Sequence, residues 1–247
     1  MGHDLTVRFR KARRDPELTV VEGFHALKHA LRFGAELLEA VAVDPERLEQ
    51  LAADLAPDLA GELAGRVERV DAETLVDLTP LVPRTGVVAI ARRPPLDLVA
   101  VLADPRPAPV VLLEQPKNMG NIGACVRVAA AAGAAAVLTT GENDPWYPDA
   151  VRGAAGLHFA LPVASVGVLP ASNRPLLAID PEGEELGSER LPARAVLAFG
   201  TERHGLSGEV FERADARVSI PMREGVSSLN LATSVAIALF VMRMGNP

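Results

Sequence analysis

Short continuous apolar runs alternate with segments of helical periodicity from Val110 onward, and this alternation constrains the fold more than any other feature of the sequence. Runs without polar interruption are typical of parallel strands that are buried on both faces. The predicted strands are residues 110–113, 135–139, 176–179, 195–199 and 217–220, and the predicted helices are residues 122–132, 148–154 and 229–244. The pattern therefore predicts an α/β fold, with a mostly parallel sheet covered by helices on both faces.

A smaller α/β domain is predicted ahead of this sheet. Phe24, Leu27 and Leu31 have helical spacing, and residues 87–91 have the composition of a strand. Prolines then cluster on both sides of residue 100, which is typical of a linker. The predicted division is residues 1–92 for the first domain, 93–108 for a proline-rich linker and 109–247 for the second domain.

The composition of the chain indicates the cellular compartment in which it functions. Hydrophobic residues make up 49% of the 247 residues, which is enough for a core, and the single cysteine, Cys125, excludes an internal disulfide framework. The first fourteen residues lack the apolar stretch of a secretory signal, and residues 229–244 fall short of the roughly 20 apolar residues that span a bilayer. We therefore expect a cytoplasmic protein with no membrane partner.

The charge is distributed unevenly along the chain. A net charge of −7 argues against indiscriminate binding to nucleic acid, because such binding depends on clustered cations. The first fourteen residues are an exception, since five cations oppose Asp4 alone. This segment is either a solvated, disordered tail or an arm that grips phosphates. The five cations are Arg8, Arg10, Lys11, Arg13 and Arg14.

Three polar segments follow predicted strands, at residues 116–123, 200–206 and 220–230. Ligands of parallel sheets bind beyond the carboxyl ends of the strands, so these segments are expected to form one site. The glycines of the first segment do not have the G-x-G-x-x-G spacing of a dinucleotide fold, which disfavours a dinucleotide-dependent oxidoreductase.

The first segment places Asn121 at the start of a predicted helix and Arg127 four residues after Gly123. Side chains of a helix lean towards its N-terminus, so Arg127 can reach back over the space beside Gly123. Two simpler interpretations remain open. Asn121 can be a helix N-cap, and Arg127 can be a surface arginine.

The three segments together resemble the SpoU, or TrmH, family of RNA ribose 2′-O-methyltransferases in the SPOUT class. The family's Asn-x-Gly-x-x-x-Arg motif is filled by Asn121, Gly123 and Arg127. Its Gly-x-Glu loop with a following Gly-Leu is filled by Gly200, Glu202, Gly205 and Leu206, and its Ile-Pro-Met and Ser-Leu-Asn segments by Ile220, Pro221, Met222, Ser228, Leu229 and Asn230. The resemblance covers about residues 109–247, while the first domain is similar to the family's RNA-binding extension.

This resemblance implies a trefoil knot and a homodimer whose active site is shared between subunits, with the arginine helix of one subunit facing the cofactor of the other. It implies S-adenosylmethionine as the cofactor, held by Gly200, Ile220, Met222 and Leu229. It implies catalytic roles for Arg127, Asn121, Glu202, Ser228 and Asn230. RNA is the implied substrate, and Arg152 stands where family members often have an arginine. Because the chain has an N-terminal recognition domain, we expect ribosomal RNA before transfer RNA, and from their charge we expect the five cations of the N-terminal segment to bind it.

The resemblance makes Arg127 the candidate proton acceptor, but a guanidinium with a pKa above 12 is a poor base. We expect Arg127 instead to bind a phosphate and stabilise the developing alkoxide, and Glu202 to orient it. Ser228 and Asn230 can contact the ribose or the arginine, and Ser228 can alternatively cap the last helix.

Other functions fit the same motifs. The chain could modify transfer RNA, protect the ribosome from an antibiotic, or act as a non-catalytic RNA-binding or assembly factor. Trp146 and Tyr147 can stack on a base or fill a dimer interface. His25 and His29 are four residues apart but lack further metal ligands, so we expect no metal site.

Overall fold

The structure is a computed structural model that describes residues 2–63, 65–187, 191–201 and 204–245. It divides into two compact units. The first contains the chain up to Pro95 together with Trp146–Ala160, and the second contains Leu96–Pro145 and the chain from Leu161. The sequence predicts a boundary in this region, but it does not predict that residues 146–160 belong to the first unit.

The elements of both units follow one another along the described chain, with two short 3₁₀ turns among them. In chain order they are α1 (Gly2–Ala12), β1 (Leu18–Glu22), α2 (Phe24–Arg32), β2 (Leu37–Ala42), α3 (Pro45–Leu55), α4 (Ala60–Leu63), β3 (Glu68–Arg69), α5 (Ala72–Leu78), β4 (Val87–Arg92), α6 (Leu98–Ala103), β5 (Val110–Leu113), α7 (Met119–Ala132), β6 (Ala136–Thr139), α8 (Pro148–Gly153), β7 (Val163–Ser165), β8 (Leu176–Glu185), β9 (Val196–Phe199), α9 (Gly208–Arg213), β10 (Ala216–Ser219) and α10 (Leu231–Gly245).

The second unit is built on a parallel sheet, which confirms the predicted fold class. Its strand order among the described residues is β10-β8-β9-β5-β6-β7, and every neighbouring pair is parallel. All residues of β5, β6 and β9 are buried, because helices cover both faces. Val110 and Leu112 of β5 pack with Leu102 of α6 in one core cluster, which Phe211 of α9 also contacts. The trefoil knot stays a prediction.

The first unit contains a sheet in the order β1-β4-β2-β3 among its described residues. Helix α1 packs on it, since Leu5, Phe9 and Ala12 are buried with residues of β1, β2, β4 and α5. These three positions lie on one helical face. The interpretation of this segment as a disordered tail is therefore wrong, because its apolar face completes a core.

The predicted linker also contains a packed element. Helix α6 lies within it, and Leu102 is buried in the core of the second unit. The buried guanidinium of Arg174 donates hydrogen bonds to the carbonyl oxygens of Leu102, Asp104 and Ala108, at 2.9, 3.0 and 2.8 Å. Arginine thus satisfies carbonyl groups at the helix end. Pro94 and Pro95 lie at the boundary between the two units, whereas Pro105, Pro107 and Pro109 follow the end of α6.

Residues 146–160 join the core of the first unit. Trp146 is 5% exposed, and its ring lies 5.0 Å from that of His158 and 5.2 Å from that of Phe159. The hydroxyl of Thr19 donates a hydrogen bond to the carbonyl oxygen of Trp146 at 2.9 Å. Both interpretations of Trp146 are therefore wrong, because its own core surrounds the indole. Tyr147 is 41% exposed and keeps both alternatives.

No helix in the described part of the chain combines the length and the apolar character needed to cross a bilayer.

Candidate active site

A cavity of about 350 Å³ lies at the carboxyl ends of β9 and β10 and beside residues 179–181 in the middle of β8. It contains all four residues that the resemblance assigns to the cofactor, together with Ser228. The described lining residues are Ile179, Asp180, Pro181, Phe199, Gly200, Thr201, Gly205, Ile220, Met222, Ser227, Ser228, Leu229, Leu231 and Ser234. The second and third polar segments therefore converge, as expected from the ends of parallel strands.

Gly200 is required by a close approach of two backbone segments in this cavity. A Cβ atom at Gly200 would lie 2.0 Å from the carbonyl carbon of Gly205 and 2.3 Å from the amide nitrogen of Leu206. Thr201 and Gly205 exchange two backbone hydrogen bonds of 3.1 and 3.0 Å, which closes the loop. Glu202 lies outside the described residues, so its predicted role stays a prediction.

Two carboxylates that the sequence interpretation missed belong to this region. Glu114, directly after β5, accepts hydrogen bonds from the amide and the hydroxyl of Ser207, at 2.7 and 2.6 Å, and so ties the loop after β9 to β5. Asp180 lines the cavity and pairs with Arg217 at 2.6 Å. Glu114 could have been identified from the sequence, because it is a carboxylate that directly follows a buried strand.

The first and third segments meet through a pair of asparagines. The side-chain amide of Asn230 donates to the side-chain oxygen of Asn121 at 3.1 Å. Asn121 is not the N-cap of α7, because Asn118 accepts from the amide of Asn121 at 2.9 Å. Its side chain is thus available to hold the start of α10.

Asn230 also caps α10, because its side-chain oxygen accepts from the amides of Ala232 and Thr233 at 2.9 and 3.4 Å. Capping by Ser228 is therefore wrong. Ser228 lines the cavity and is exposed. One asparagine side chain fixes both helix starts at the rim of the cavity.

Arg127 is exposed on α7, and it is not among the described residues that line the cavity. No described residue forms an ion pair or hydrogen bond with its guanidinium. Its charge lies in solvent, because the buried face of α7 consists of other residues, such as Ile122 and Val126. Among the described residues, Arg127 is therefore a solvent-exposed side chain, and its predicted catalytic role stays a prediction.

Helices α7 and α10 run side by side in the same direction. The Asn121–Asn230 contact joins their starts, and Arg243 of α10 donates to the carbonyl oxygen of Ala131 at the other end of α7, at 3.1 Å. On α10, Phe240 is 42% exposed and Met244 is 75% exposed. Arg127 thus belongs to a helix pair whose outer surface carries large apolar side chains.

The predicted RNA-binding residues of the first unit form two groups: those with an ion-pair partner among the described residues, and those without one. Arg152 pairs with Glu22 and with Asp149, and Arg13 pairs with Glu22 at 2.7 Å. Glu22 is 3% exposed and also accepts a hydrogen bond from Thr79 at 2.7 Å. Arg8 pairs with Glu39 at 2.7 Å and with Asp4. Arg13, Arg152 and Arg8 therefore already have structural partners, whereas Arg10, Lys11 and Arg14 are exposed.

Among the residues that the structure describes, no cluster of three potential metal ligands occurs. His29 instead bonds through Nδ1 to the carbonyl oxygen of Ala155 at 2.7 Å. Burial lowers the pKa of His29 below its ordinary value, although the bond to Ala155 opposes this effect. A neutral imidazole donating from Nδ1 fits this environment.

Two family models match successive ranges of the chain. The model described as SpoU rRNA Methylase family matches residues 108–240, and the model described as RNA 2'-O ribose methyltransferase substrate binding matches residues 20–96.

The chain is 29% identical over 242 residues to a 23S rRNA (adenosine(1067)-2'-O)-methyltransferase of Streptomyces azureus, covering 93% of this chain and 87% of that protein. It is 30% identical over 237 residues to a 23S rRNA (guanosine-2'-O-)-methyltransferase of Bordetella pertussis, covering 90% of this chain and 95% of that protein. A crystal structure of an AdoMet-bound rRNA methyltransferase from Sinorhizobium meliloti is 26% identical, has a TM-score of 0.79 and covers 100% of this chain and 95% of that chain.

Proposed function

The chain belongs to the SpoU rRNA methylase family, and from this membership we propose that it methylates a ribose 2′-hydroxyl of ribosomal RNA with S-adenosylmethionine. The observation that carries the proposal is the convergence of Gly200, Ile220, Met222 and Leu229 on one cavity. The relatives in Streptomyces azureus and Bordetella pertussis are named as 23S rRNA 2′-O-methyltransferases, which favours ribosomal RNA over transfer RNA. We also propose that the protein works in the cytoplasm.

The cavity fits the cofactor in size and chemistry. Its volume of about 350 Å³ lies within the roughly 300–1,000 Å³ of ligand sites. Met222 and Leu229 supply apolar surface, Asp180 supplies a carboxylate, and the absence of a side chain at Gly200 lets the backbone of Gly205 and Leu206 pack closely against it. When bound, S-adenosylmethionine supplies an electrophilic methyl carbon that passes from sulfur to the ribose oxygen, while the hydroxyl loses its proton.

The residues of the chain position the substrate rather than activate the methyl group. Arg127 binds an RNA phosphate and stabilises the developing negative charge on the ribose oxygen, since a guanidinium remains protonated. The paired Asn121 and Asn230 keep α7 and α10 in register at the rim of the cavity. Ser228 is exposed in the cavity lining, and we expect it to hydrogen-bond the ribose. The role of Glu202 in orienting Arg127 remains an expectation from the family resemblance.

We propose further that the enzyme is a homodimer with a shared active site. Arg127 has no partner among the described residues, and the exposed Phe240 and Met244 lie on the helix that packs beside α7. A second copy covering this surface would bury the apolar side chains and bring its arginine to the cavity of the first copy. Isolated subunits are then expected to be inactive.

Incubation with methyl-labelled cofactor and unmodified ribosomal or transfer RNA tests the reaction. We expect alkali-resistant label on ribosomal RNA. We expect Arg127→Ala and Arg127→Lys both to lower turnover at least a hundredfold without weakening cofactor binding, because lysine cannot reproduce the planar guanidinium. Arg47→Ala, at an exposed arginine of the first unit, is the control. Label on transfer RNA alone would reassign the substrate, and cofactor binding without transfer to either RNA would favour a non-catalytic factor.

Mixing two variants with different defects, at a cofactor concentration that loads the wild type but not Gly200→Ala, tests the shared site. Arg127→Ala subunits retain an intact cavity, and Gly200→Ala subunits retain an intact arginine. With free exchange, half of the dimers are mixed and each has one intact site, so activity should return to about a quarter of the wild-type value. Mixing Arg127→Ala with Arg127→Lys should restore nothing. No recovery in the first mixture, with exchange verified, would contradict a shared site.

A further inference from the structure

Helix α1 is a fixed element that precedes the matched substrate-binding region, which begins at residue 20. Phe9 and Ala12 are fully buried, and Leu5 is 7% exposed. The opposite face of the helix therefore has a defined orientation on the first unit. Any side chains on that face are presented to solvent by a rigid support.

The five cations of this segment fall into two groups. Arg8 forms an ion pair with Glu39, and Arg13 forms an ion pair with Glu22. Arg10, Lys11 and Arg14 are exposed and form no ion pair with any residue that the structure describes. Arg10 and Lys11 lie in the last turn of α1 and Arg14 lies just beyond its end, and because all three border one groove their like charges repel one another. A ligand with negative charge would remove this cost.

These three side chains border an open groove of about 530 Å³. Its other lining residues are Val7, which is 48% exposed, Asp15 and Pro16. Arg10 also borders a second groove of about 340 Å³, between α1 and the end of α5. We call the surface formed by Val7, Arg10, Lys11 and Arg14 the α1 face. It combines cations with a small apolar floor, and it continues around Arg10 into the second groove.

We propose that the α1 face binds the phosphate backbone of the RNA substrate. This inference depends on the proposed function, because that function supplies the polyanion. Affinity for a polyanion comes from clustered cations. Because the chain as a whole has a net charge of −7, a local cluster of cations indicates where a polyanion would bind. Arg10, Lys11 and Arg14 each have a free charge to contribute, while Val7 and Pro16 can contact sugars. Arg8 and Arg13 support the surface through their ion pairs and are not direct contacts.

The salt dependence of RNA binding tests this assignment. A fluorescently labelled ribosomal RNA fragment is titrated with wild-type protein and with the R10Q/K11Q/R14Q triple variant at several salt concentrations. Each lost phosphate contact lowers the slope of log K against log salt by roughly 0.7–0.9, so the triple variant should lose about 2 to 3 from the slope. We expect its affinity to fall at least tenfold at low salt, with a raised KM for RNA and an unchanged kcat.

A matched control separates the α1 face from net charge. The R47Q/R66Q/R84Q variant removes three exposed arginines of the same unit that form no ion pair with the described residues. We expect this control to lose less than threefold in affinity and less than 1 in slope. Circular dichroism and thermal unfolding should show that both triple variants remain folded, and both should bind S-adenosylhomocysteine like the wild type.

An unchanged slope in the triple variant of the α1 face would overturn the inference, and so would an equal loss in the control. Stronger α1-dependent binding to anionic lipid vesicles or to polyglutamate than to RNA would assign the surface to another partner and would also overturn it. Failure of the proposed function is distinguishable, because wild-type protein would then bind no S-adenosylhomocysteine and transfer no methyl group.

Discussion

Replacing Gly200 by alanine should weaken cofactor binding, because the added Cβ atom would collide with backbone atoms of the cofactor site. The new Cβ would lie 2.0, 2.2 and 2.3 Å from the carbonyl carbon and oxygen of Gly205 and the amide nitrogen of Leu206. Ordinary van der Waals contact needs at least 3.4 Å, so the two segments must separate by more than 1 Å. Backbone atoms cannot swing aside as a side chain can, and the two hydrogen bonds between Thr201 and Gly205 would be lost or weakened.

The size of the effect follows from those two bonds. Each contributes about 1 kcal/mol net, so the closed loop loses about 2 kcal/mol relative to open forms. Because about 1.4 kcal/mol corresponds to a tenfold change in affinity, the dissociation constant should rise roughly 30-fold. Calorimetric titration with S-adenosylhomocysteine measures this change directly.

Gly208→Ala is the matched control for this substitution. Gly208 begins α9 in the same region, and no atom lies within 4 Å of a Cβ atom built there. Alanine is also a better helix former than glycine, so binding and stability should be preserved. Wild-type affinity in Gly200→Ala would refute the claim that this backbone contact shapes the site.

Two further outcomes are expected in the first unit. Gly156→Ala should destabilise it by several kcal/mol more than Gly34→Ala, because both glycines have positive φ but only a Cβ at Gly156 meets the backbone, 2.2 Å from the oxygen of Ala26. Urea unfolding of the two variants checks this, and equal losses would contradict it. His29 has a lowered pKa, so the unfolded chain takes up its proton more readily, and stability should fall as the pH drops through and below about 6.5. Unfolding measured at several pH values should show a smaller slope in His29→Gln, and an unchanged slope would contradict this origin.

The parallel sheet could be predicted from sequence because strands buried on both faces leave continuous apolar runs. Strand β5 has the predicted bounds, and the helix ending at Gly133 ends there with left-handed backbone at that glycine. Helix α1 was harder to predict, since five cations mask an apolar face that becomes evident only when Leu5, Phe9 and Ala12 meet the sheet.

The residues that cap α7 and α10 differ from those that the sequence suggested, and they show why parts of the site could not be predicted. Asn118 and Asn121 are equally good N-caps by type, and the choice depends on where the chain leaves β5. Ser228 and Asn230 present the same ambiguity at α10. Similarly, no local pattern shows that Arg152 belongs to the first unit, because its partner Glu22 is 130 residues away in the chain.

Transfer from preloaded enzyme tests the central claim most directly. Protein loaded with methyl-labelled S-adenosylmethionine is mixed with unmodified ribosomal RNA and an excess of unlabelled cofactor, and the labelled nucleotide is mapped after a single turnover. The account predicts alkali-resistant label on a ribose 2′-oxygen, and little label from Gly200→Ala, which should not retain the cofactor. Label on a base, or full transfer by Gly200→Ala, would contradict it.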